Sequence, residues 1–229
     1  MQKRLPLLLM VLSFLFTACE EKTESPELDL QQEFQPLGIG LFWIYEVDET
    51  IYFGENDAET FHYFYKDLVR SSYLNAENEV TYIVERTKSS DRTDWSFELE
   101  YTLIYRDRLL LRTTNNLPLA ALVFPPQVGR IWNGKSYQSE GDDDFEIEFS
   151  GQSQTPGFED ISAVRVSQEN LDDKITIRDI RYEVFGEEVG LLEKYDEVLT
   201  YCSRNDCLGD LLINGGSKTH LKLVDYGRN

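Results

Sequence analysis

The chain has 229 residues and carries 22 Lys and Arg against 42 Asp and Glu, a formal charge of −20. That balance argues against a nucleic-acid binder, which neutralises phosphates with clustered Lys and Arg. At 41% hydrophobic and 13% aromatic residues the chain is too apolar to stay disordered, and two His and three Cys leave few parts for a histidine-based catalytic cluster.

The first element is an export leader. Lys3 and Arg4 precede an apolar run from Leu7 to Phe16, broken only by Ser13. The run is about half of the ~20 residues that a membrane-spanning helix requires. A short apolar run behind a basic start is the pattern of a secretory signal. It ends in Phe16-Thr17-Ala18-Cys19, which resembles the lipobox of bacterial lipoproteins, with Phe16 where Leu is commoner. The resemblance implies that residues 1–18 are removed and that Cys19 takes palmitate-type acyl chains on its sulfur and usually on its new amine. The alternative is an ordinary leader with a chance cysteine at its end. One acyl chain anchors only marginally, at about 0.8 kcal/mol per buried methylene, so two or three chains are what would make release negligible. Removing residues 1–18 takes two cations and no acid, so the charge moves from −20 to −22. Anionic headgroups repel such a body, which leaves the lipid as its only membrane partner and favours a soluble monomer.

Residues 19–33 read as a lipidated, flexible tether. Glu20-Glu21-Lys22-Thr23-Glu24-Ser25-Pro26-Glu27 is charged, Pro-broken and without apolar period. The acids after Cys19 resemble the surface-export signal of Bacteroidota-type lipoproteins, which implies the outer face of the outer membrane. A solvated spacer on the periplasmic side fits the same residues equally well.

Residues 34–229 read as one all-β domain, because apolar residues recur with a period of two. The runs in order are Leu41-Trp43-Tyr45-Val47, Phe61-Tyr63-Tyr65, Val80-Tyr82-Val84, Trp95 to Leu103 at odd positions, Phe145-Ile147-Phe149, Val164-Val166, Ile180-Tyr182-Val184, Leu191-Glu193-Tyr195 and Leu221 to Val224. Each run is expected to pack one face and turn the other to water. Polar turns separate them, at Gly54 to Asp57, Asn75 to Asn78, Ser89 to Arg92, Asn115-Asn116 and Gly151 to Gly157. Leu117 to Val123 is the one stretch that reads as a helical turn. About ten strands in an antiparallel meander predict a strongly curved sheet, half-barrel or barrel.

Pro36-x3-Gly40-x2-Trp43 and Pro125-x3-Gly129-x2-Trp132 share one spacing, as two related halves would or as chance would. Pro36-Leu37, Gly40, Trp43 and Tyr45, with Trp132-Asn133-Gly134 and Val189-Gly190-Leu191, resemble a family of uncharacterised Bacteroidota envelope lipoproteins. That resemblance implies location and fold and carries no catalytic residue.

Cys202 and Cys207 are the remaining cysteines once Cys19 is lipidated, and an oxidising envelope favours a disulfide between them. Asp142, Asp143 and Asp144, with Asp172 and Asp173 in another turn, are weak candidates for a calcium site. They lack EF-hand spacing, and a solvated turn explains them. His62 falls out of phase with Phe61 and Tyr63, and His220 is placed at the start of the last strand. Each is expected to face solvent or a neighbour. Asn214 to Thr219 lacks the Gly-x4-Gly-Lys pattern of a phosphate loop and reads as a turn. Trp43, Trp95 and Trp132 are expected to be structural aromatics.

No catalytic residue, metal or cofactor follows from these patterns. The expected function is a non-catalytic binding or assembly module of the envelope, held by its lipid and directed to a protein, glycan or amphiphile. A carrier with an amphiphile in a curved-sheet cavity is the second reading, and a hydrolase using paired carboxylates the third.

Overall fold

The computed structural model describes residues 29–55, 57–139 and 141–229. The leader, Cys19 and the acidic part of the tether lie outside them. Twelve strands follow in order: β1 (Leu41–Gly54), β2 (Asp57–Leu74), β3 (Val80–Ser89), β4 (Ser96–Arg106), β5 (Leu109–Thr114), β6 (Leu117–Val123), β7 (Ile131–Asn133), β8 (Asp144–Gln152), β9 (Ser162–Asp172), β10 (Ile177–Gly186), β11 (Gly190–Tyr201) and β12 (Ile213–Arg228). They form one antiparallel sheet in the order β6-β5-β4-β3-β2-β1-β12-β11-β10-β9-β8-β7. Every strand therefore pairs with its sequence neighbours except β6 and β7, which are the two edges, and the first and last strands pair with each other along Leu41–Tyr52 and Gly216–Arg228.

The sheet curls into a nearly closed barrel. Arg112 on β5 reaches across the interior to Glu183 on β10, strands far apart in sheet order. The two edge strands, β6 and β7, meet at a seam. There the Ala120 N–H donates to the Gly134 carbonyl at 2.8 Å, and the Trp132 indole N–H donates to the Ala120 carbonyl at 2.7 Å. Gln138 Nε2 adds a 2.8 Å bond to the Pro118 carbonyl. Gly134 is required at this point, since a Cβ there would lie 2.5 Å from the Phe145 ring.

Leu117–Val123 is strand β6, not a helical turn. Its run of apolar residues has a two-sided cause. The interior takes Leu122, while Ala120, Ile104 and Leu111 form a second small core under Trp132 and Tyr137. A strand covered on both faces loses its polar alternation. The spaced Pro-Gly-Trp motifs play matching local parts: Gly40 and Gly129 both adopt positive φ, 88° and 82°, and each leads into the strand that carries its Trp.

One end of the barrel is closed. Trp43, Tyr45, Val47, Phe124, Phe145, Ile147, Phe185 and Leu192 fill the interior there. The last residues of the expected tether, with Phe34, stopper it: Gln32–Phe34 form a 3-10 turn, Phe34 is buried and Leu30 packs on the core. Glu188 N–H donates to the Glu33 carbonyl at 2.8 Å, and the Tyr105 hydroxyl donates to the carbonyls of Gln32 and Gln35. The C-terminus finishes at the same end, where Asn229 N–H donates to the Gly40 carbonyl at 2.9 Å.

Candidate functional site

At the opposite end the interior is not filled. A cavity of about 550 Å³ opens between the middle of β1, β11 and β12 and the strand ends that meet at the β5–β6 turn. Its apolar wall is Leu99, Leu117, Leu119, Leu191 and Leu221, and its polar wall includes Tyr63, Tyr65, Tyr101, Arg86, Arg112, Lys194, Glu49 and Asp196. The register explains how charges reach the inside. Asp67 lies in phase with Tyr63 and Tyr65 on β2, and Arg86 lies opposite it on β3.

Two ion pairs form the floor. Arg86 donates Nε and Nη2 to the two oxygens of Asp67, each at 2.7 Å, and the Tyr101 hydroxyl donates to Oδ2 at 2.8 Å. Arg112 donates Nη2 and Nη1 to Glu183 at 2.5 and 3.2 Å, and Lys194 lies 3.4 Å from the same carboxylate. The side chains of Asp67 and Glu183 are 1% and 0% exposed, against 19% and 16% for Arg86 and Arg112. The carboxylates are thus buried beneath, and the guanidiniums line the cavity. Arg86 Nη1 and Arg112 Nε have no hydrogen-bond partner among the described residues. Above them Arg86 lies 4.6 Å from the centre of the Tyr65 ring and Lys88 lies 3.6 Å from that of Tyr63.

Burial pushes the Glu183 carboxyl up, but Arg112 and Lys194 outweigh it and hold it below the ordinary carboxylate range. Burial, then the nearby Asp67 charge, pushes the Tyr45 and Tyr101 hydroxyls well above the ordinary value of 10. Burial lowers Arg112, as does the positive charge of Arg86, but the charge and hydrogen bonds of Glu183 outweigh both and hold it above its ordinary range. Replacing a buried ion pair by packed apolar residues is often neutral or stabilising by about 1–4 kcal/mol, so stability alone does not explain two such pairs under one cavity.

A second concavity of about 480 Å³ lies on the outer face of β8–β12, beneath residues Ser153–Pro156. Its central carboxylate is committed within the chain. Glu193 accepts hydrogen bonds from the Tyr182 hydroxyl at 2.7 Å and the Thr155 hydroxyl at 3.3 Å, and His220 Nε2 lies 2.7 Å from it.

The residues singled out from the sequence are distributed as follows. Cys202 and Cys207 are joined by a disulfide, both buried, with Cα atoms 5.9 Å apart. Asp142, Asp143 and Asp144 do not converge on a cation position: Asp142 accepts from Asn133 at 2.7 Å, Asp143 pairs with Lys135 and Arg181 at 3.2 and 3.4 Å, and Asp144 begins β8. Asp172 pairs with Arg178, and Asp173 caps the turn before β10 through the amides of Ile175, Thr176 and Ile177. Among the described residues one grouping, Cys202, Asp206 and Cys207, brings three metal-ligating atoms within 4.8 Å of one another, and its sulfurs are bonded to each other. His62 lies half exposed, 2.9 Å from Asp48. His220 sits in the middle of β12 rather than at its start, and Asn214–Thr219 belong to that strand rather than to a turn. Trp43 is buried and donates its indole N–H to the Val189 carbonyl at 2.6 Å. Trp132 guards the seam. Trp95 is no core residue: it precedes β4, half-buried beside Tyr63 and Lys88.

Sequence reasoning did not single out Asp67, Arg86, Arg112 or Glu183. The available signal was a charge in the inward phase of an apolar run, as Asp67 is between Tyr65 and Val69.

No protein-family model matches the chain, and no curated protein matches it in sequence. Solved structures similar to it include the following two. A protein of Bacteroides fragilis, inferred to be exported and described as having a YmcC-like fold, aligns over 85% of this chain and 99% of its own, at 11% identity and a TM-score of 0.44. A protein of Parabacteroides distasonis, inferred to be a lipoprotein, aligns over 85% and 98%, at 10% identity and a TM-score of 0.39.

Proposed function

We propose that this chain is a lipid-anchored envelope protein that binds a small molecule in the open end of its barrel without transforming it. The location rests on the leader and on Cys19. The binding role rests on one observation, the two buried ion pairs set under an open cavity whose walls are part leucine and part charge. Such a concave, mixed surface of a few hundred Å³ suits a small ligand. Beyond the mouth the interior is occupied by Tyr45, Val47, Phe145, Phe185 and Leu192, so the space favours a compact ligand over a long acyl chain.

The outer face supports a lipid anchor over a strand-built membrane span. Outward positions on β1, β2 and β12 carry Glu46, Asp48, His62 and Lys222. A lipid-facing charge near the bilayer centre costs ~2–4 kcal/mol for Lys or Arg.

Mass spectrometry of the protein extracted from membranes tests both parts. The denatured mass is expected to show an N-terminus at Cys19 bearing acyl chains, and the native mass a retained small molecule. An unlipidated mature N-terminus removes the location. A native mass equal to the denatured one, even after incubation with envelope extract, removes the binding role.

A further inference from the structure

We infer that the open end of the barrel selects an anionic ligand, a carboxylate or phosphate joined to a compact apolar body, with the oxyanion held between Arg86 and Arg112 and the apolar part along Leu99, Leu117 and Leu119. The inference rests on the small-ligand reading above and adds its chemical class.

The charges of the two ion pairs are layered, and the two carboxylates in the wall itself are engaged, Glu49 by the Tyr63 hydroxyl at 3.1 Å and Asp196 by Lys194 at 3.1 Å. Asp67 and Glu183, the carboxylates that hold the two guanidiniums, lie behind the cavity wall, whereas Arg86 and Arg112 form part of it. Each guanidinium uses two nitrogens on its carboxylate and keeps a third, Arg86 Nη1 and Arg112 Nε, without a partner among the described residues. Guanidinium forks fixed in this way by buried carboxylates are pre-organised donors for a planar or tetrahedral oxyanion. Both guanidiniums line the same cavity, so their like charges are relieved by an anion and reinforced by a cation. A sugar is the less favoured occupant. The Tyr63 and Tyr65 rings, on which a sugar would stack, already have Lys88 and Arg86 over them. The leucines define the other half of the ligand. Leu117, at the rim, is 61% exposed, and apolar surface left open beside buried donors fits an apolar group joined to the oxyanion.

Calorimetric titration of the full mature protein in neutral detergent tests this with four water-soluble probes. Hydrocinnamate and phenyl phosphate carry both parts, 3-phenylpropanol lacks the anion, and inorganic phosphate lacks the apolar body. At least one of the first two is expected to bind tenfold or more tightly than either of the last two, and the stronger of them identifies carboxylate or phosphate as the head. Arg86→Gln combined with Asp67→Asn removes a charge pair without stranding a buried ion, and is expected to weaken that binding about tenfold. Leu117→Glu, at an exposed position, is expected to weaken it similarly with the melting temperature unchanged. Equal affinity for 3-phenylpropanol, or wild-type affinity in both variants, overturns the inference. So does a failure of both anionic probes to bind at millimolar concentration. In that last case a retained molecule in the native mass spectrum would still leave the small-ligand reading standing.

Discussion

The buried polar contacts of single residues divide into those that hold the barrel and those that furnish its mouth. Trp43 belongs to the first kind. Its indole N–H reaches the carbonyl of Val189 in the β10–β11 turn, and both residues are buried. Trp43→Phe strands that carbonyl, at a cost of about 1–3 kcal/mol. In a domain of this size each kcal/mol lowers the melting temperature by about 2–4 °C. Thermal unfolding of Trp43→Phe beside Trp95→Phe checks this: the half-buried Trp95 should be nearly neutral, and equal losses for both would contradict the assigned role. Asp67 and Glu183 belong to the second kind. Asp67 sits where period-two reading expects an apolar side chain, and that conflict between pattern and charge was the trace of the site in the sequence, whereas Glu183 falls between Tyr182 and Val184, in the phase read as facing water, and is nonetheless buried. The pairing that makes the conflict tolerable, Asp67 with Arg86 and Glu183 with Arg112, depends on register and on curvature across the interior. Neither is written in local composition.

Among the strands, strength of pairing is unequal. β1 and β12 pair along most of their length, whereas β6 and β7 meet only through the Ala120–Gly134 bond and side-chain links from Trp132 and Gln138. Local opening follows the elements with fewest shared hydrogen bonds. Amide hydrogen exchange should therefore release β6 before β1 and β12; protection of Ala120 equal to that of Val47 would show the seam to be as firm as the rest. The strands that were legible in the sequence are those whose phase stays constant through the core, such as Trp43-Tyr45-Val47 and Val164-Val166. Bulges broke the pattern elsewhere. Glu98 is an extra residue on β4, so Leu99, Tyr101 and Leu103 face inward while Phe97, in the same apparent alternation, is 63% exposed. Glu148 does the same on β8, turning Phe149 out to line the outer groove while Phe145 and Ile147 stay buried. Short strands such as β7 give too few positions for any period to show, and β6, covered on both faces, gives no alternation at all.

For the whole molecule, pH is a direct probe of the polar interior. Burial, then the charge of Asp67, keeps the native hydroxyls of Tyr45 and Tyr101 well above 10, and on the outer face, beside Tyr182 and His220, burial and then Glu197 push Tyr195 up to about 12. A raised native value contributes stability that is fully present below the unfolded value, about 10, and is lost as pH rises through the native one. A tyrosinate absorbance titration is expected to be biphasic, with exposed tyrosines ionising near pH ~10 and the buried set only as the far-ultraviolet circular dichroism of the sheet is lost. Ionisation of all tyrosines in a single step with the sheet intact would contradict the buried positions. At this scale the meander itself has a consequence for how the polypeptide can be cut. The ends of its described residues lie together at the stoppered pole, and its weakest junction falls at mid-sequence, between Val123 and Ile131. The backbone is in effect a ring already nicked at its centre. A circular permutant that fuses the old ends and begins at β7 would keep every strand pairing, and the two six-stranded pieces would be natural partners for fragment complementation.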